Sequence, residues 1–282
     1  MIKVLIPIDF STNAMNAIKY AMELFKYDRS EFIIMHAFAD EVYENNLDLS
    51  RELFEEYKEK VKESSDRELQ KVLSEMLSIS PNPRHEYNFI SVFGSLVDEA
   101  NDLVDKENID ILVMGTKGES DERDITFGSN TLQVIKYVKC PVLAVPSKFH
   151  DIQPKRILFP TDYQIPFQRR EVKLLSTIAK NFVATINFLY VSDFEKMSFR
   201  QQDNKSLLEC FLTENRTSFQ TVGGKDITRV INENIIKLKA DMLVMINTRR
   251  SYLENVLYTS TIQKMGLQVQ IPFLVLQNLP RY

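Results

Sequence analysis

Three of the chain's seven glycines fall close together, at Gly115, Gly118 and Gly128. Glycine is used where a side chain would obstruct a close approach to the backbone or where φ must be positive. The first of them ends the apolar run "DILVMG", and the third opens the helical pattern "GSNTLQVIKYV". The first N–H groups of a helix have no partner within it, and the helix dipole favours an anion there. This spacing predicts a loop and helix start that hold a phosphate, with the Ser129 hydroxyl as an added donor. The alternative is a long glycine-containing turn with no ligand.

An internal repeat indicates which elements surround these glycines. "KVLIPIDFS" returns as "RILFPTDYQ", "FIIMHAF" as "INFLYVS", "DILVMG" as "DMLVMI", and "PVLAVP" as "PFLVLQ", in the same order. The last two pairs share an offset of 131 residues (241 − 110 and 272 − 141). We therefore predict a tandem duplication, with one domain at 1–147 and a second at 155–282.

Each half alternates short apolar runs with amphipathic helical patterns. Ser11 is a candidate cap for a helix whose apolar residues recur on one face. Near-continuous apolar strands separated by helices are typical of a parallel sheet covered on both faces. The prediction is an α/β fold with two tandem, doubly wound, five-stranded parallel-sheet domains. In such sheets ligands bind at the carboxyl ends of the strands, where Gly115 lies.

Composition excludes several classes of protein. The 282 residues, 44% hydrophobic and 26% charged, suit a globular chain of one large or two ordinary domains. A formal net charge of −4 disfavours a nucleic-acid binder. Cys140 and Cys210 form no CxxC pair, and the apolar N-terminus meets Asp9 too early for a signal peptide. Since no run approaches the roughly 18 apolar residues of a membrane span, we expect a cytoplasmic protein.

The motif G-x2-G-x9-G-S, placed after a strand and followed by Asn130, resembles the ATP-binding signature of the universal stress protein family. "VLIPIDFS", "MHAF" and "CPVLAVP" are similar to that family's first, second and fifth strands. The resemblance covers nearly all of 1–146 and, more loosely, 155–278. It implies flavodoxin-like domains of the adenine nucleotide alpha hydrolase-like type, with sheet order 3-2-1-4-5. It also implies adenosine between the ends of strands one and four.

The resemblance further implies a set of nucleotide-binding residues. Asp9 would face the ribose or adenine, Ala37 would offer backbone atoms to the adenine edge, and the glycine loop would hold the phosphates. The implied set is Pro7, Asp9, Ala37, Met114, Gly115, Gly118, Gly128, Ser129 and Asn130. Mg²⁺ or Mn²⁺ would be held mainly by the phosphates, with no metal ligand from protein side chains. From the residues alone, Asp9 as a helix cap stays an alternative, and His36 is interpreted as a packed, hydrogen-bonded histidine.

We expect a nucleotide-binding, stress-response protein and not an enzyme, because the sequence holds no convincing catalytic constellation. It has no G-x4-GK-[ST] loop, no HExxH and no GxSxG elbow. Slow ATP hydrolysis stays open, as does the choice among ATP, ADP and AMP, because "ESDERDITF" is acidic. The alternative function is a protein–protein interaction module with a vestigial glycine loop, and an adenylate-processing enzyme comes third.

The two halves are expected to form an intramolecular pseudo-dimer through "VLAVP" and "FLVLQ", and a homodimer of the chain is compatible with the same pattern. They are also expected to differ in binding. The gapless offset aligns the three glycines with Ile246, Arg249 and Thr259, while Ser129 keeps its hydroxyl as Ser260. We therefore predict one nucleotide per chain, in the N-terminal half. The alternative is a different anion site at Arg249 and Arg250.

Overall fold

A computed structural model describes residues 1–45, 50–117, 127–147, 149, 153–194, 196–247 and 270–278. The chain forms two compact units, Met1–Cys140 and Pro141–Tyr282. The division lies N-terminal to the predicted end of the first domain at 147. Each unit is described by itself below.

The first unit contains four parallel strands and five helices among its described residues. Its strands run in the order β3-β2-β1-β4. Its elements are β1 (Ile2–Pro7), α1 (Thr12–Leu24), β2 (Ser30–Ala37), α2 (Ala39–Asn45), α3 (Arg51–Ile79), β3 (His85–Val92), α4 (Leu96–Glu107), β4 (Ile111–Gly115) and α5 (Ser129–Tyr137).

The second unit repeats this parallel arrangement and adds two strands, one parallel and one antiparallel. Its parallel strands run β8-β7-β6-β9-β10, and β5 pairs with β10 in the antiparallel direction. Its elements are β5 (Val142–Val145), β6 (Arg156–Pro160), α6 (Arg169–Asn181), β7 (Thr185–Val191), α7 (Phe199–Phe211), β8 (Arg216–Val222), α8 (Ile227–Leu238), β9 (Met242–Asn247) and β10 (Phe273–Gln277). The predicted α/β fold class is confirmed, and the parallel strands of this unit follow the order 3-2-1-4-5.

Burial of the strands and of one face of each helix accounts for these elements. The middle of β1 is fully buried, and all five residues of β4 are buried, as expected for a strand covered on both faces. Helix α1 begins where Ser11 Oγ accepts a hydrogen bond from Ala14 N at 3.2 Å. Small residues at Ala14, Ala17 and Ala21 are buried and let this helix lie close to the sheet.

An aspartate joins the first and fourth parallel strands at matching positions in each unit. Asp110 Oδ2 accepts from Lys3 N, and Asp110 N donates to Lys3 O, both at 2.9 Å. In the second unit Asp241 Oδ1 accepts from Arg156 N at 2.8 Å, and Asp241 N donates to Arg156 O at 3.0 Å. The repeat aligns Lys3 with Arg156 and Asp110 with Asp241, so the same reciprocal pair sets the strand register twice.

The two units also share unusual backbone conformations. The residue that ends α4, Asn108, has φ 60°, and the residue that ends α8, Lys239, has φ 48°. Phe10 and Tyr163, which follow the aligned aspartates, have φ 60° and 54°. Non-glycine residues adopt this left-handed region at a cost, so its recurrence reflects a shared loop geometry.

No helix in the described part of the chain combines the length and apolarity that crossing a membrane requires.

The end of α8 gives a test of this backbone description. Lys239 is exposed and left-handed, so Lys239→Gly should stabilise the second unit by about 0.5–1 kcal/mol, because glycine adopts this conformation without steric cost. Lys237→Gly, within the last helical turn, should instead cost about 1 kcal/mol. Thermal unfolding followed by circular dichroism should show midpoints that move in opposite directions. A lower midpoint for Lys239→Gly would contradict the assigned conformation.

Candidate functional site

A cleft of about 560 Å³ lies at the carboxyl ends of the strands in the first unit. The chain leaves β1 towards β2 on one side and returns to β4 on the other, so the strand order reverses at β1. Crevices at such reversals are the usual ligand sites of open α/β sheets. Seven of the predicted residues line the cleft, from the ends of β1, β2 and β4 and from the start of α5. They are Pro7, Asp9, Ala37, Met114, Gly115, Ser129 and Asn130.

The two remaining predicted residues are Gly128 and Gly118. Gly128 is described, and it lies at the start of α5 beside the cleft. Gly118 lies outside the described residues, as does the acidic segment that follows it.

Gly115 allows the loop after β4 to pack tightly. A Cβ atom at this position would lie 3.3 Å from Lys117 O and 3.5 Å from Asn13 Cβ. Asn13 Nδ2 also donates to Lys117 O at 3.4 Å, so α1 supports the same loop. The missing side chain of Gly115 therefore leaves room for the carbonyl of Lys117, while Asn13 of α1 lies at ordinary contact distance.

Gly128 leaves the start of α5 without a side-chain cap. Its φ of −68° and ψ of 164° suit any residue, so its contribution is the missing side chain. Its own N–H donates to Thr116 O at 2.8 Å. Because Gly128 is the N-cap residue, no side chain of its own accepts from the first N–H groups of α5, and the first turn carries no acidic residue. The first N–H groups of this nine-residue helix thus lie beside the cleft with the polarity that attracts an anion.

The charged groups that line the cleft are Asp9, Asp40 and Lys117. Asp9 Oδ1 accepts from Ser11 N at 3.1 Å, but the residue that caps α1 is Ser11. The alternative of Asp9 as the cap of that helix is therefore wrong, and its carboxylate instead orders the turn before the cap. Lys117 is the cation nearest the glycine loop among the described lining residues.

His36 forms part of the cleft wall. Its Nδ1 lies 2.8 Å from Ser65 Oγ, which in turn lies 2.6 Å from Ser91 Oγ. Its ring centroid is 4.7 Å from that of Phe10. The interpretation of His36 as packed and hydrogen-bonded is confirmed. In addition, His36 lines the cleft. Burial lowers the pKa of His36, while the nearby charge of Asp9 raises it to a smaller extent.

Several lining residues escaped sequence reasoning. They are Ile8, Ala14, Met35, His36, Asp40, Leu96, Lys117 and Thr131. Thr131 follows directly after the predicted "GSN" and donates from Oγ1 to Gly115 O at 3.1 Å. Its place three residues after Gly128 could have indicated it. No local signal indicates Asp40 or Leu96, because α2 and α4 reach the cleft only through the folded sheet.

The corresponding strand end in the second unit is occupied by side chains from α7. Gln201 Nε2 donates to Asp162 O at 2.8 Å and to Tyr190 Oη at 3.1 Å. Asn204 Nδ2 donates to Tyr163 O at 2.8 Å. Gln201 and Asn204 are both buried. The repeat aligns Asp162 and Tyr163 with Asp9 and Phe10, so in the second unit buried side chains of α7 donate to the carbonyls of this turn.

The degenerate glycine positions of the second half are described only in part. Ile246, aligned with Gly115, lies in β9. Arg249, Arg250, Thr259 and Ser260 lie outside the described residues. The proposed alternative anion site at the two arginines therefore stays a prediction.

No group of three or more His, Cys, Asp or Glu side chains within the described ranges is arranged to hold a metal ion. The two carboxylates that line the cleft come from separate elements, the end of β1 and the start of α2.

The sequence profile of the universal stress protein family matches residues 1–146, which is half of the chain. The chain belongs to the universal stress protein family. A curated relative, universal stress protein MJ0577 from Methanocaldococcus jannaschii, is 28% identical over 158 residues, covering 52% of this chain and 95% of the relative.

Solved structures similar to the chain extend over both units. The crystal structure of a universal stress protein from Archaeoglobus fulgidus has a TM-score of 0.68 at 18% identity, covering 98% of this chain and 96% of that one. A putative universal stress protein from Pseudomonas aeruginosa has a TM-score of 0.59 at 12% identity, covering 98% and 92%. At these identities the likeness establishes the fold of the family over the length of the chain.

The environment of His36 predicts a pH dependence of stability. Because the folded-state pKa lies below the ordinary value, the unfolded chain binds a proton more readily. Stability from this group is present above about pH 6.5 and is lost as pH falls through the folded-state pKa. Urea unfolding between pH 7.5 and 5 should therefore show a smaller loss of stability for His36→Asn than for the wild type.

His85 provides the comparison, since burial also lowers its pKa, while its hydrogen bond to Phe25 O opposes the shift. His85→Asn should reduce the same pH dependence, and the double variant should reduce it further. Identical pH profiles for the wild type and His36→Asn would contradict the assigned environment.

Proposed function

We propose that this universal stress protein binds an adenine nucleotide in its N-terminal repeat and acts as a tandem-repeat, stress-response binding protein. The observation that carries the proposal is the cleft at the ends of β1, β2 and β4, which opens beside the uncapped start of α5. Seven residues predicted from the sequence to bind a nucleotide meet there. A chain that uses glycine sparingly places two of its seven, Gly115 and Gly128, at this edge.

The cleft is lined by two kinds of chemical group. The first N–H groups of α5, the Ser129 hydroxyl and Lys117 suit phosphate oxygens. The carboxylates of Asp9 and Asp40 suit hydroxyl or amino donors on a ribose and base. The volume of about 560 Å³ is within the usual range for a small-molecule site. A nucleotide spans both kinds of group.

The role of a divalent ion follows from the same charges. Mg²⁺ is usually bound by one or two carboxylates together with substrate phosphates, and it keeps several waters. Asp9 and Asp40 are the acidic side chains among the described lining residues, and they do not form a protein cage. We therefore infer that Mg²⁺ or Mn²⁺ enters with the nucleotide and is held mainly by its phosphates.

We further infer a binding protein without catalytic turnover. The described lining residues include no cysteine, and His36 Nδ1 is engaged with Ser65. No pairing of a nucleophile with a base is present among these lining residues to activate water. The pseudo-dimer of repeats and a homodimer of the chain stay predictions, as does a cytoplasmic location. The alternative function, an interaction module with a vestigial loop, requires that nucleotide has no effect on the chain.

Substitution at Ser129 separates binding from folding. Ser129 is exposed in the first turn of α5, where an acidic side chain favours the helix dipole and a phosphate would be repelled. Ser129→Asp should keep or raise the thermal midpoint but weaken ATP binding by about tenfold or more, measured by calorimetry. Asparagine has nearly the shape of aspartate but no charge, so Ser129→Asn should bind ATP more tightly than Ser129→Asp. Equal ATP affinities for the two variants would count against phosphate binding at α5.

Stoichiometry tests the asymmetry of the two repeats. Ile246 in place of glycine, together with the bonds of Gln201 and Asn204 to the carbonyls of the aligned turn, supports one nucleotide per chain. Calorimetric titration of the whole chain with ATP should saturate near one equivalent, and mass spectrometry of the native complex should show a single adduct. A second saturable equivalent that persists in Ser129→Asp would place another site in the second repeat. If the wild type gives no heat and no thermal shift with ATP, ADP or AMP, the interaction-module alternative is favoured.

A further inference from the structure

Thr131 connects β4 and α5, the two elements that flank the proposed phosphate position. Its Oγ1 donates to Gly115 O at 3.1 Å, and the side chain is 2% exposed. Thr131 also lines the cleft. The bond therefore joins the first turn of α5, which follows the glycine loop along the chain, to the last residue of β4, which precedes it.

A second bond acts beside it at the same junction. Gly128 N donates to Thr116 O at 2.8 Å. The two bonds run from the cap and the first turn of α5 to adjacent carbonyls, those of Gly115 and Thr116. Together they determine how far the start of α5 lies from the end of β4, and thereby the position of the N–H groups that face the cleft.

The internal repeat offers a comparison within the same chain. The offset of 131 residues aligns Thr131 with Ile262, which has no hydroxyl, and Gly115 with Ile246. The half of the chain that has lost the glycine spacing has thus also lost the donor of this bond. If the Thr131 hydroxyl served only to fold the α/β unit, both halves would need one. Its absence from the second half therefore indicates a role in ligand binding by the first half.

We propose that Thr131 is a positioning residue for phosphate, which anchors the start of α5 to Gly115 so that its N–H groups meet the anion. This inference rests on the proposed nucleotide site. The proposal assigns Thr131 no contact with the ligand. Thr131 instead holds the first N–H groups of α5 in place. A small shift of the helix start would weaken their hydrogen bonds to the phosphate, since hydrogen bonds weaken steeply with distance and angle.

The test compares ligands with and without a phosphate. Thr131→Val keeps the shape of the side chain and removes the hydroxyl, while Thr131→Ser keeps the hydroxyl. Calorimetry with AMP and with adenosine should give a roughly tenfold loss of AMP affinity in Thr131→Val. Adenosine affinity should change by less than about twofold, and Thr131→Ser should retain the wild-type ratio of the two affinities.

A control variant separates anchoring from a general loss of stability. Val104 is buried in α4 and does not line the cleft, so Val104→Ala should lower the thermal midpoint without changing the ratio of AMP to adenosine affinity. A wild-type ratio in Thr131→Val, or an equal loss of AMP affinity in Thr131→Ser, would overturn the proposal.

Hydrogen exchange tests the anchor without any ligand. In Thr131→Val the amides of 129–137 should exchange faster than in the wild type and in Thr131→Ser, because the helix start has lost one of its two bonds. Unchanged exchange would overturn the anchoring role. Absence of AMP binding by the wild type, with faster exchange in Thr131→Val, would instead refute the proposed nucleotide function and leave the anchor supported.

Discussion

The cleft depends on the pairing of β1 between β2 and β4. The register sets Pro7 against Met35 on one side and Leu5 against Leu112 on the other. Continuing the second register places Pro7 level with Met114. Three strands that are distant in sequence therefore end at nearly the same height, and the reversal of strand order separates the loops that follow them. Changes in this register would displace every lining residue at once, whereas changes in a single loop would displace only a few.

Sequence patterns predicted the parts of this arrangement that depend on local chemistry. The apolar run before Gly115 is a fully buried strand, and Ser11 caps α1 as its position suggested. Asp40 and Leu96 escaped prediction because they meet the other lining residues only after β2 and β3 have paired in the sheet. The sequence predicted a contact between "VLAVP" and "FLVLQ", and β5 does pair with β10. It could not show that this pairing is antiparallel or that β5 falls in the second compact unit.

The two units separate features of the fold from features of the site. Phe10 and Tyr163 both adopt positive φ, and Asp110 and Asp241 make the same reciprocal bonds. Strained backbone at a strand end is often associated with function. Here the strain occurs equally in the unit whose glycine positions are replaced. The left-handed residue therefore belongs to the shared turn between strand and helix, while the glycines and Thr131 distinguish the first unit.

Hydrogen bonding at the turn after the first strand differs between the two units. In the second unit the carbonyls of Asp162 and Tyr163 accept from the buried amides of Gln201 and Asn204. At the aligned carbonyls of Asp9 and Phe10, no donor side chain is found among the described residues, and Asp9 is exposed. The turn after the first strand therefore keeps one backbone path in both units but has different hydrogen-bond partners, which α7 supplies in the second unit. A conserved backbone with different side-chain partners lets the two repeats share a fold while the surroundings of this strand end differ.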